Sequence, residues 1–170
     1  PVVYPSRVLP YTPYTIGLLL CHSEVDDLTV QYRDKQTLGL LKQLTPQIDW
    51  QFFLNWSYNV PESKSGSIIT KSEFYGSLLS SMENYTIPDL YLYSSIPQRW
   101  ELLQSIMDCC GTVSNDNNVF CELPYKTLKD SFVQLVNSLG LSVSVMEGVN
   151  KYILYFKANN RTVKSLFKNK

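Results

Sequence analysis

Two short stretches of this 170-residue sequence concentrate the side chains able to do chemistry. Cys21 and the only histidine, His22, close the run Pro13-Tyr14-Thr15-Ile16-Gly17-Leu18-Leu19-Leu20. Cys109 and Cys110 close a second run, Leu102-Leu103-Gln104-Ser105-Ile106-Met107-Asp108, just before Gly111. Superposing the runs sets Gly17 on Ser105, Cys21 on Cys109, His22 on Cys110 and Ser23 on Gly111. Thiols and imidazoles suit soft or borderline metals, whereas magnesium requires hard oxygen ligands. Asp108 is the one carboxylate in either run. Four cysteines without regular spacing do not make a disulfide framework, so a reducing, intracellular setting is expected. The sequons at Asn55, Asn84 and Asn160 then carry no meaning.

The elements that must position these residues follow from pattern. The first run predicts a helix over 13–22 with proline at its start, and the second a helix over 97–110 with Gly111 where a C-terminal cap is favoured. After the first helix the expected order is a strand over 28–32, a helix over 34–44, a strand over 48–58 and a returning strand over 67–70. A helix follows over 72–83. Residues 87–95 read as a linker. After the second helix come short strands at 112–113 and 119–122, a helix over 124–139 stopped by Gly140, and a hairpin of 141–146 with 152–157. The order helix, strands, helix, hairpin thus occurs twice, as an internal repeat of pattern rather than of identity.

Leu103 to Gly111 lines up with the nine-residue motif of the LAGLIDADG homing endonucleases, and Thr15 to Ser23 resembles the motif's intein-borne form. Ile87-Pro88-Asp89-Leu90-Tyr91-Leu92 followed by Gln98-Arg99-Trp100-Glu101-Leu102-Leu103 resembles the family's lead into its second motif. Lys126 to Gly140 resembles the helix after it, and Tyr152 to Phe156 with the tail through Phe167 resembles the final strand and exit. The resemblance implies an α+β fold of two pseudo-symmetric αββαββα half-domains. These pack through two central helices, and antiparallel sheets form a saddle over the DNA major groove. The chain then forms one domain over 1–170, with half-repeats at about 13–86 and 96–158 and a basic tail at 159–170. The resemblance further implies a monomer with an internal pseudo-two-fold.

Gly17 and Ser105 are the small residues that would let the helices approach, with Asp108 and Gly111 as further motif positions. In relatives an acid at each helix end holds magnesium, which activates water and stabilises the departing oxygen. Those acids map onto His22 and Cys110, and neither is a hard oxygen ligand. Glu24, Asp26 and Asp27 lie near but out of register. The cleavage centre therefore reads as lost, with no cofactor expected. Lys71 matches a basic residue that some relatives keep near the centre, or is an exposed lysine at a helix start. Gln51, Asn55 and Ser57 would face DNA, with Gln and Asn able to read adenine edges. If the helix ends meet, Cys21, His22, Cys109 and Cys110 offer a zinc ligand set, although neighbouring side chains on a helix diverge.

Composition limits the partners. Lys plus Arg and Asp plus Glu both number 15, so the net charge is zero and no strongly electropositive surface is expected. The six basic residues from Lys151 to Lys170 form either a solvated tail or phosphate contacts. No apolar run approaches a membrane span, and residues 16–21 are too short for a signal peptide. A start at Pro1 reads as an excised or trimmed piece, without the splicing blocks of an intein. Three functions follow as expectations. One is an inactive LAGLIDADG-type domain that keeps a DNA-binding architecture. Another is a structural or protein-interaction module docking on a host protein or larger complex, which the neutral charge and twelve tyrosines favour. The third is a nuclease using Glu24 or Asp108 as substitute ligands.

Overall fold

The computed structural model describes residues 1–24, 29–32, 43, 51–54, 66–69, 84–114, 116, 118–157 and 164–168. For residues 22–24, 29–32, 51–54 and 66–69 it describes the backbone alone. The helices expected at 34–44 and 72–83 lie outside these residues, Gln43 excepted, as does the polar turn expected over 61–66 save for Gly66, which opens a strand.

Helix α1 spans Pro13–His22. The Thr12 hydroxyl accepts the Thr15 amide at 3.2 Å, and Pro13 occupies the first helical position, where its missing N–H costs nothing. Residues 13–20 are all buried, as befits a helix that is apolar on every side. Strands β1 (Ser23–Glu24), β2 (Thr29–Tyr32), β3 (Gln51–Leu54) and β4 (Gly66–Ile69) form an antiparallel sheet in the order β1-β2-β4-β3.

The stretch expected as a linker instead holds a short helix, α2 (Asp89–Leu92). Ile87, Tyr91 and Leu92 are buried in the core, so apolar burial overrides the Pro and Ser punctuation here. Helix α3 spans Ile96–Cys110. At its start the Gln98 side chain reaches back to accept the Ser95 amide at 3.1 Å, the reach-back half of a capping box. Strands β5 (Gly111–Val113) and β6 (Val119–Leu123), helix α4 (Lys126–Ser138), and strands β7 (Val143–Gly148) and β8 (Lys151–Phe156) complete the described elements. The second sheet is ordered β5-β6-β8-β7, repeating the strand order of the first. Asn150, at φ 56°, takes the left-handed position of the β7–β8 turn.

Gly111 follows α3 but does not adopt a left-handed cap. Its φ of −84° and ψ of 148° lead directly into β5. Space explains the glycine: a Cβ would lie 2.6 Å from both the Met107 carbonyl oxygen and its Cε. Gly140 is the left-handed residue, at φ 78°, after α4.

The core forms where α1 and α3 pack together, with α4 and β6 against α3. Leu19, Leu102, Leu103, Ile106, Met107, Phe132 and Cys121 have no exposed surface. Arg99 is equally buried. Its guanidinium donates to the carbonyl oxygens of Ser94, Ser138 and Val2 and to the Ser138 hydroxyl. Burial pulls its pKa below the ordinary arginine value, an effect that Tyr4 opposes. These bonds tie residues 1–10 to α3 and α4, and Gln98 clamps the Arg7 backbone on both its N–H and its C=O. Residues 164–168 also lie on α3. Leu166 is buried, and Gln104 donates to the Ser165 carbonyl at 2.8 Å.

Candidate functional site

The two helices that carry the motif residues meet. A Cβ on Gly17 would fall 2.5 Å from the Ser105 Oγ and 2.6 Å from its Cβ. The Ser105 hydroxyl donates to the Tyr14 carbonyl at 2.5 Å and is fully buried. Small residues at this crossing therefore set the helix separation. One turn further on, where i and i+4 share a face, stand Cys21 on α1 and Cys109 on α3. The Cys21 side chain interacts with those of Cys109 and Cys110. Those contacts come first, and burial and repulsion between thiolates follow, in pushing the Cys21 thiol well above its ordinary pKa. Cys21, Cys109 and Cys110 are each half-buried and free of disulfides.

The structure thus brings together Gly17, Ser105, Cys21, Cys109 and Cys110. Helix α1 ends at His22, whose side chain lies outside the described residues, as do Asn55, Ser57 and Lys71 altogether. Gln51 is placed only as a backbone position on β3, paired with Ile69 of β4. Among the described residues no group of three or more His, Cys, Asp or Glu side chains is arranged to hold a metal ion.

Asp108, two residues before the end of α3, is engaged. Its Oδ2 accepts the Tyr14 hydroxyl at 2.6 Å, and its Oδ1 accepts the Lys168 amide at 3.0 Å. The Lys168 ammonium lies 5.0 Å from the centre of the Tyr14 ring and 3.9 Å from Glu101. Asp108 therefore joins α1, α3 and residue 168. Sequence reasoning missed the Tyr14 and Lys168 partners, although Tyr14 sits within the first run.

The second sheet carries a further surface. In its register Thr112, Phe120, Tyr155 and Ser144 share one row, and Glu122, Ile153 and Met146 the next. The buried neighbours Val119, Cys121 and Leu123 point the other way, to the helices. The outward rows are largely apolar: Phe120 and Tyr155 have ring centroids 6.0 Å apart, and Met146 is half exposed. The outward charges, Glu122 and Lys151, neutralise each other in an ion pair at 2.9 Å. Alternation along β6 and β8 was the available signal for this face.

No protein-family model and no curated protein matches the chain. Solved structures do. The homing endonuclease I-DmoI, in complex with DNA and manganese, matches with a TM-score of 0.62 at 10% identity over 94% of this chain and 97% of that one. The N-terminal LAGLIDADG domain of DUF199/WhiA matches at 0.57 and 14% identity, covering 93% of this chain and 84% of that chain. Full-length DUF199/WhiA from Thermatoga maritima matches at 0.63 and 10% identity, over 96% of this chain and 58% of that one. The chain therefore has a LAGLIDADG-type fold, with mixed helices and antiparallel sheets. Among the described residues no helix is long and apolar enough to cross a membrane.

Proposed function

We propose that this chain is a LAGLIDADG-type domain, of intein-like descent, that has lost its cleavage centre and retains the architecture of a DNA-binding saddle. One observation carries the reading. The paired helices converge at their ends on thiols, and Asp108, two residues before the end of α3, is committed to Tyr14 and Lys168. In the resembled family the helix ends present acids that hold a divalent metal, whose charge supplies several kcal/mol of transition-state stabilisation. Thiol and imidazole at those positions do not suit magnesium or calcium. The repeated strand order of the two sheets and the α1–α3 crossing support two pseudo-symmetric halves, at about 13–86 and 96–158, within one domain over 1–170. Under this reading Gln51, Asn55 and Ser57 face the DNA and Lys71 lies near the old centre. Residues 159–170 form a basic segment, and the protein is an intracellular monomer.

I-DmoI is described in complex with DNA, so DNA is the first partner to test here. Incubation with a randomised duplex library and magnesium or manganese should give no specific double-strand cuts. Cuts abolished by a chelator would overturn the inactive assignment and point instead to Glu24 or Asp108 as substitute ligands. Binding should appear at low salt and weaken steeply as salt rises.

A second reading is favoured by the outward face of β5 to β8. That face offers Phe120, Tyr155, Ile153 and Met146, with its Lys151 charge already neutralised. Phosphate contact calls for unpaired Lys or Arg, whereas aromatic residues and methionine are enriched at protein interfaces. On this reading the domain docks on a host protein or larger complex. Failure to bind any DNA at low salt selects it.

A further inference from the structure

We propose that Cys21 and Cys109 are an oxidation site, forming a disulfide in response to a peroxide and so stapling α1 to α3. This inference goes beyond the reading above and is independent of DNA binding. Its basis is register. Gly17 and Ser105 touch at the crossing, so the positions one turn on, Cys21 and Cys109, lie on the facing sides of two closely spaced helices. Their side chains are close enough to shift the Cys21 thiol's pKa. Both helices lead without a loop into a strand, α1 into β1 and α3 into β5, so the thiols are held by four elements. A disulfide requires near approach of the two backbones, and the glycine–serine crossing provides it.

The roles of the two sulfurs differ. The contacts and burial that hold Cys21 protonated make it a poor first nucleophile, since the thiolate is the reactive form. Cys109, half-buried at the end of α3, is the attacking sulfur. Its thiolate displaces hydroxide from hydrogen peroxide, which becomes water on protonation, and leaves a sulfenic acid on Cys109. The Cys21 sulfur then attacks that sulfenic sulfur. The S–OH bond breaks, the hydroxyl leaves as water with the Cys21 proton, and the S–S bond forms. Two thiols are oxidised by two electrons, one peroxide is reduced, and two waters result.

The test uses the whole chain, reduced, freed of reductant and treated with hydrogen peroxide at low protein concentration. Remaining thiols are alkylated, and the digest is mapped without reduction. The expected result is a monomer with two of its four thiols consumed, the Cys21 peptide joined to the Cys109 peptide, and reversal by dithiothreitol. Cys110→Ser should preserve the link, Cys109→Ser should slow peroxide-driven loss of the Cys21 thiol by about tenfold or more, and Cys21→Ser should leave Cys109 oxidised to a sulfenic acid with no link formed. Persistent alkylation of Cys21 in oxidised wild-type protein overturns the proposal. So does an undiminished link in Cys109→Ser, which would run through Cys110. The wild-type map needs no variant to fold, and circular dichroism separates a misfolded serine variant from an informative one.

Discussion

Replacing Gly17 with alanine should destabilise the fold strongly, but only while Ser105 is present. The added Cβ would stand 2.5 Å from the Ser105 Oγ and 2.6 Å from its Cβ, against an ordinary contact of about 3.5–4 Å. Ser105 cannot swing away cheaply, because it is fully buried and its hydroxyl is committed to the Tyr14 carbonyl. Relief therefore requires the helices to separate, loosening Leu102, Ile106 and Leu19, which have no exposed surface. Overpacking of this kind costs about 1–3 kcal/mol, and loss of the serine bond adds about 1 kcal/mol. The better helix propensity of alanine returns about 1 kcal/mol. The net loss should be about 1–3 kcal/mol, or a melting midpoint lower by roughly 2–12 °C for a domain of this size. In a Ser105→Gly background both close atoms are gone, and only the Leu102 carbonyl remains, at 3.2 Å. There Gly17→Ala should be neutral or stabilising by up to about 1 kcal/mol. Urea unfolding of the four proteins, followed by far-ultraviolet circular dichroism, gives the coupling energy directly. An equal cost for Gly17→Ala in both backgrounds would refute a helix separation set by this pair.

Other consequences follow from buried polar groups. Arg99→Ala should cost about 3–5 kcal/mol, since the Ser94, Ser138 and Val2 carbonyls lose a charged donor. Tryptic cleavage after Arg7 should accelerate in this variant, and Arg99→Lys should not rescue it, because one ammonium cannot replace the planar fork. Asp108→Ala removes the acceptor of the Tyr14 hydroxyl and should cost about 1–3 kcal/mol in urea unfolding, with Asp108→Asn milder. Burial pushes Tyr91 up to about 12, outweighing its hydrogen bond to the Tyr11 carbonyl. A folded pKa above the unfolded one stabilises fully below pH 10 and is lost as pH climbs to 12. Stability should fall by about 2–3 kcal/mol across that window. Tyr91→Phe should remove this component of the decline, and an unchanged pH profile would count against it.

The parts of the fold legible in the sequence were those governed by local pattern. Helix α1 begins and ends where proline and the apolar run place it, and α3 differs by one residue at its start. The strand expected over 119–122 is found as β6, one residue longer, whereas its buried face of Val119, Cys121 and Leu123 comes from the structure. Helix α2 was hidden because proline and serine flank it, and only tertiary burial of Tyr91 and Leu92 reveals it. The glycine at 111 was legible as a helix end, but its reason, the closeness of Met107 and Phe167, belongs to packing between distant segments. At the site, superposing the two runs made Gly17 equivalent to Ser105 and Cys21 to Cys109, whereas their approach to one another is a matter of how α1 packs on α3. The grip of Asp108 on Tyr14 and Lys168 did not, since neither partner is within helical reach of it in sequence.

The loss of the metal centre is tested most directly by titrating the purified protein with manganese and following free ion by electron paramagnetic resonance. The His22→Asp, Cys110→Asp double variant serves as comparison. Wild-type protein should leave the free-ion signal unchanged, and the double variant, with hard oxygen donors at both helix ends, should deplete it. Stoichiometric uptake by the wild-type chain, equal to that of the double variant, would contradict the account.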